Sequence, residues 1–362
     1  MVAGAVAIKY LKERVRFGPS SSQRPHGAAH AAFRASPAAQ RKKTRHEAEV
    51  EYRNLGKSGL KVSTVGLGCN NFGMRIDLEA ARAVVARALD EGITLFDTAD
   101  IYGGRGASEE MLGKALGDQR HNAIVATKFG MPFGKGPYLR GGSRRYIFAS
   151  VEGSLKRLNT DYIDLYQIHQ PDSDTPQEET LEALTDLVRT GRVRYLGCSN
   201  FAAWQLVESL WNSDARNLAS YVSAQNEYSL LDRSVEKELA PACRQFGVGI
   251  LPFFPLASGL LTGKYKRGVE PPKDTRFGAM KQLADRYGTE ANWNAIEKMD
   301  EFARSRGHSM LELAMSWLAA NPCVSSVIAG ATRPEQVADN AKAADWKLTP
   351  EDLTQIDKIL KQ

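Results

Sequence analysis

The chain has no run of about 18 apolar residues, the length a membrane-crossing helix needs, so no membrane partner is expected. It also lacks the G-x-G-x-x-G turn of a doubly wound dinucleotide fold. Gly66-Leu67-Gly68 follows a strand-like run, but the third glycine and the distant acidic residue are missing. Cysteine is sparse. Cys69, Cys198, Cys243 and Cys323 stand far apart with no C-x-x-C pair, which argues against a thiolate zinc site and fits reduced thiols in a cytoplasmic protein. The six histidines include three before residue 50, too few elsewhere for a metal hydrolase, and no metal is expected. A glycosidase would set two carboxylates across a pocket, whereas Asp97 and Asp100 share one strand end. The net charge of +6 points to no nucleic-acid partner, because residues 1–50 hold ten Lys/Arg against three acids and leave the remainder near neutral.

Two regions differ in kind. Residues 1–48 are rich in Ala, Ser, Arg, Pro and His without sustained periodicity, and no clean apolar core of a secretory signal is present. They read as a disordered extension outside catalysis, with a misplaced translation start or an organellar targeting tail as alternatives. Residues 49–362 read as a single domain. A short hairpin is expected around Gly56-Lys57-Ser58-Gly59. Eight strand-like runs follow, at 64–67, 94–96, 123–126, 162–168, 194–197, 221–224, 248–251 and 324–328. Segments with helical spacing lie among them at 78–90, 145–158, 178–189, 202–211, 235–246, 310–320 and 334–343, with a terminal helix at 350–360. Eight strand–helix units predict a parallel sheet closed into a (β/α)8 barrel, a TIM barrel with an N-terminal β-hairpin cap. The stretch 258–292 reads as a long functional loop.

In such a barrel the reactive groups sit where strands end. Strands 2, 3 and 4 end in Asp97 to Tyr102, Lys128 and His169. These four residues suit carbonyl reduction. A free tyrosine holds its proton tightly near neutral pH, and a neighbouring ammonium favours the phenolate. A carboxylate can hold the lysine in a buried setting, and a histidine can orient the carbonyl. Each residue alone has an ordinary reading: Asp97 as a structural partner, Tyr102 and His169 as core, Lys128 as solvated. Their occurrence on three successive strand ends favours chemistry.

The segments FDTADIYG, ATKFG, DLYQIHQPD, GCSNF and LASGLLTGKY together resemble the aldo-keto reductase superfamily, over nearly all of the organised chain. The resemblance implies an NADP(H)-dependent oxidoreductase that reduces aldehydes or ketones, with Asp97, Tyr102, Lys128 and His169 as the tetrad. It implies NADP across the barrel mouth. Ser199, Asn200 and Gln225 would meet the nicotinamide carboxamide, although Ser199 and Asn200 are also ordinary helix-capping residues. Phe253 would stack on the ring and Phe254 would give backbone contacts, with Leu256 beside them. Gly259, Leu260 and Lys264 would hold the pyrophosphate, with Arg276 as a second cation, Lys264 having a solvated loop charge as its alternative. Gly330, Thr332 and Arg333 would hold the 2′-phosphate at a helix start, and Gln336 and Asn340 would reach the adenine. Some relatives have Lys-Ser at 330–331 and Arg at 336, which this chain lacks. Asn70, Phe72 and Phe129 are candidates for the substrate pocket of a small-molecule carbonyl compound. The competing reading within the superfamily is a non-catalytic, NADP(H)-binding barrel like the potassium-channel β subunits, some of which carry Asn at the histidine position. No oligomer interface can be read from the sequence.

Overall fold

The computed structural model describes residues 50–272 and 275–361. The expected extension at 1–48 lies outside them. An antiparallel hairpin, β1 (Tyr52–Asn54) and β2 (Lys61–Ser63), opens the described chain. Eight parallel strands follow: β3 (Val65–Gly68), β4 (Leu95–Asp97), β5 (Ile124–Phe129), β6 (Ile163–Ile168), β7 (Val193–Ser199), β8 (Tyr221–Gln225), β9 (Gly249–Ile250) and β10 (Val327–Gly330). β10 pairs with β3, and the series runs on in order to β9. The two ends meet through a parallel bridge between Ile250 and Val324, where Ser325 N donates to Ile250 O at 3.0 Å. The architecture is the expected (β/α)8 barrel.

Strand alternation explains how the barrel presents its chemistry. Leu95, Ala126, Leu165, Leu251 and Ile328 form one buried cluster with Leu55 and Val62 of the hairpin region. Phe96, Val125 and Tyr166, one residue along, belong to the larger cluster shared with the helices. The first set is the inner face, and the hairpin plugs it from below, with Lys57 N donating to Gly247 O at 2.8 Å. Two residues further along the inner face of each strand stand Asp97, Lys128 and Gln167, and two beyond Gln167 stands His169. A polar layer thus stands above an apolar plug.

The expected helices form at 78–90, 144–158, 177–189, 310–320, 334–342 and 350–360, and the one expected at 202–211 runs further, Ala203–Arg216. The segment 235–246 divides into a 3-10 turn, Ser234–Glu236, and the helix Leu239–Phe246. Further helices were not anticipated, two of them of ten residues or more. Ala107–Leu116 is short and bounded by Gly106 and Gly117, so its apolar period is brief. Glu290–Ser305 begins inside the stretch read as loop, where Thr289 caps it by accepting from Asn292 N. The same stretch holds the turns Ala257–Thr262 and the helices Arg276–Ala279 and Lys281–Tyr287, so it is structured rather than a bare excursion. No helix among the described residues is long and apolar enough to cross a membrane.

Candidate active site

Asp97 closes β4 and Lys128 lies on β5, both buried. Lys128 Nζ sits 2.6 Å from Asp97 Oδ2 and donates to Thr98 O at 2.9 Å. The other carboxylate oxygen, Oδ1, accepts from Gln225 Nε2 at 2.8 Å and from Gln167 Nε2 at 3.2 Å. A buried ion pair persists only when its remaining atoms are satisfied, and these two amides do that. Burial alone would lower the pKa of the lysine. Asp97 and the Tyr102 oxygen outweigh it and hold Lys128 above the usual ammonium range.

Tyr102 begins a tight turn, Tyr102–Arg105, in which Gly103 and Gly104 take φ of 69° and 78°. A Cβ at Gly103 would stand 2.6 Å from Phe72 O, so glycine there lets the turn fold back against the rim. The turn brings the Tyr102 ring centre to 5.1 Å from Lys128 Nζ, and its hydroxyl to 3.5 Å from His169 Nε2. The two rings meet edge to face with centroids 5.6 Å apart.

His169 follows β6. Burial, and then the Lys128 charge, push its pKa down to about 3, so the imidazole is neutral at physiological pH. Its Nδ1 is enclosed without a partner. A buried N–H without an acceptor costs more than a bare lone pair beside it, so the proton belongs on Nε2, the atom facing Tyr102. His169 O accepts from Asn200 Nδ2 at 2.9 Å, which ties the histidine to the end of β7.

The residues expected around a cofactor spread along the rim, and several have commitments the sequence did not reveal. Gln225 and Asn200 were expected to offer both donors and acceptors. Gln225 Nε2 donates to Asp97 Oδ1 and Gln167 Oε1, and Asn200 Nδ2 to His169 O and Ser199 Oγ, which leaves their oxygens. Gln336 Oε1 accepts from Thr332 N at 2.8 Å and Oγ1 at 3.1 Å and so closes its own loop, while Asn340 is buried. Arg333 is exposed at the start of the helix Pro334–Lys342, with Pro334 in its first turn. Gly330 is exposed beside it. Phe253 and Phe254 are half-buried and meet edge to face at 5.3 Å. Phe254, Ala257 and Ser258 all take positive φ, a strain that clusters at ligand sites. Ser258 Oγ is enclosed without a partner, and Leu256 packs against the core. Lys264 folds onto Gly259, its Nζ 3.3 Å from where a Cβ would stand, while Leu260 is buried below. Ser199 lies buried at the end of β7. The Arg276 side chain falls outside the described set.

Two expected pocket residues are core. Phe129 follows inward-facing Lys128, so alternation turns it outward, where it stacks on Tyr166 at 4.7 Å. Phe72 is wholly enclosed as well, and neither ring offers surface to a substrate. Asn70 remains half-exposed. Gln167 was missed, although its spacing of two from His169 marks the same inner face. Cavities of about 220 and 210 Å³ flank the loop Pro171–Asp174, and neither takes in a tetrad side chain.

The model of the aldo/keto reductase family matches residues 64–361. An L-glyceraldehyde 3-phosphate reductase of Escherichia coli O157:H7 is 39% identical, over 86% of this chain and 92% of its own. A probable voltage-gated potassium channel subunit beta of Oryza sativa is 38% identical, over 86% and 97%. An uncharacterized oxidoreductase of Bacillus subtilis, YrpG, is 38% identical, over 86% and 96%. A family match across the whole barrel, with relatives this similar along almost their full length, makes this chain a member of the aldo/keto reductase family.

Proposed function

We propose that the chain is an NADP(H)-dependent reductase of small aldehydes or ketones in which Tyr102 is the general acid. The observation that carries the reading is the buried Asp97–Lys128 pair set beneath the Tyr102 ring, with neutral His169 facing the phenol. A reduced nicotinamide supplies the hydride when bound. The exposed Arg333 and Gly330, the Lys264–Gly259 turn, the orphaned Ser258 hydroxyl and the half-buried Phe253 fit such a group, and they are the residues that would hold it.

The rest of the work falls to the protein. Nε2–H of His169 donates to the substrate oxygen and orients the carbonyl. Tyr102 gives its proton to that oxygen as negative charge builds there. The Lys128 ammonium stabilises the phenolate left behind, and Asp97 keeps the ammonium charged in its buried site. Solvent returns the proton to Tyr102, which completes the cycle.

A second reading is a barrel that binds the nucleotide as a regulatory partner, supported by the relatives named as potassium channel β subunits. The complete tetrad favours catalysis. A steady-state screen of the protein with NADPH against aldehydes, ketones and sugars decides between them. The screen should include glyceraldehyde 3-phosphate, the compound in a relative's name. Consumption of NADPH that depends on a carbonyl compound supports the reductase. Tight NADPH binding with no turnover across the panel supports the regulatory barrel.

A further inference from the structure

Behind the tetrad lies a closed polar cluster that the mechanism leaves unused. Its centre is Asp100, wholly buried two residues before Tyr102. Asp100 Oδ2 accepts from Tyr146 Oη and from Ser150 Oγ, each at 3.2 Å, both on the helix Arg144–Leu158. Asp100 Oδ1 is enclosed with no partner, as is the Tyr166 hydroxyl on β6. The charges facing the cluster are Glu109, from the helix Ala107–Leu116, and Arg157, from the helix Arg144–Leu158, and these two pair with each other at 2.7 Å. Asp100 therefore has a hostile anion nearby and a cation already engaged. Burial, and then Glu109, push its carboxyl up to about 7, against the two hydroxyls and Arg157.

The backbone links this group to the chemistry. Asp100 N donates to Lys128 O at 3.0 Å, and Tyr102 N donates to Ala99 O at 3.2 Å. The side chain of Asp100 thus pegs the turn that carries Tyr102 to the helix layer. An ionised Oδ1 would be a buried charge with no donor, whereas a protonated one is a far cheaper group to enclose.

We propose that Asp100 is a positioning residue that works as an uncharged carboxylic acid, and that losing its proton loosens the Tyr102 turn and slows turnover. The kinetic part rests on the reductase reading, so the test carries readouts that do not need turnover. Asp100→Asn keeps the shape and the acceptor but cannot ionise, and Asp100→Ala removes the peg. A folded pKa raised above the unfolded value makes the contribution to stability full below about pH 4 and lost as pH rises through about 7. The Asn variant is therefore expected to gain thermal stability over the wild type as pH rises across that window. Fluorotyrosine placed at position 102 should show a fluorine resonance that moves with pH through about 7 in the wild type and not in Asp100→Asn. In turnover, kcat of the wild type should fall through the same pH, the Asn variant should lose that limb, and Asp100→Ala should lower kcat about tenfold or more at every pH, the scale of a lost positioning contact, with unchanged NADPH affinity. Parallel stability curves for the wild type and Asp100→Asn would overturn the uncharged peg. A position-102 resonance indifferent to both variants, or wild-type kcat in Asp100→Ala, would overturn its positioning role. A wild type with no reductase activity sinks the reductase reading alone, and the stability and fluorine data still decide this one.

Discussion

Replacing Lys128 by Met tests the electrostatic heart of the site. Nζ lies 5.1 Å from the centre of the Tyr102 ring. At that separation and an effective dielectric of about 20, a unit charge stabilises a phenolate by about 3 kcal/mol, or roughly two orders of magnitude in rate. Methionine keeps most of the volume and none of the charge. The same change leaves Asp97 as a buried carboxylate held only by Gln167 and Gln225, which should cost about 3–5 kcal/mol of stability. The double variant Asp97→Asn/Lys128→Met removes both charges, so it should regain most of the stability and none of the turnover. The assay is kcat for NADPH-dependent carbonyl reduction beside the thermal midpoint of each variant. If Lys128→Met kept more than about a tenth of wild-type turnover, the Coulomb argument would fail. If the double variant regained turnover with stability, the lysine would be a structural cation only.

Three further outcomes follow from the same geometry. Because the folded pKa of His169 is depressed to about 3, its contribution to stability is present above its unfolded value near 6.5 and is lost as pH falls toward 3. Acid unfolding of His169→Gln should therefore be shallower than that of the wild type, and the kcat/KM profile should show no histidine limb between about pH 5 and 8. Gln225→Leu leaves Asp97 Oδ1 with the longer of its two bonds and should cost about 1–3 kcal/mol by thermal melting. Arg333→Ala should weaken NADPH binding about tenfold or more, with little effect on NADH, as measured by fluorescence titration, since an exposed guanidinium at a helix start suits the extra phosphate.

That Asp97, Tyr102, Lys128 and His169 come together was legible because the ends of β4, β5 and β6 each carry a polar residue after an apolar run, and strand ends share one rim. The strands were found by the same signal, their ends displaced by at most three residues. What stayed hidden has physical causes. Phe129 looked like a rim residue by position, but period-two alternation from Lys128 sends it to the helix side. The internal partners of Gln225 and Asn200, Asp97 and Gln167 for one and His169 O and Ser199 for the other, could not be read from the sequence, because the need for them appears only once the ion pair is known to be buried. Helix Ala107–Leu116 was missed because two glycines crop its period, and Glu290–Ser305 because its start lies within a stretch of weak apolar signal.

Single-turnover reduction by Tyr102→Phe, with NADPH saturating, addresses the general-acid role most directly. The account predicts unchanged NADPH affinity and a hydride-transfer rate lower by about 10²–10⁴-fold, the usual worth of a positioned general acid. A rate close to that of the wild type would show that the phenol is not the proton donor.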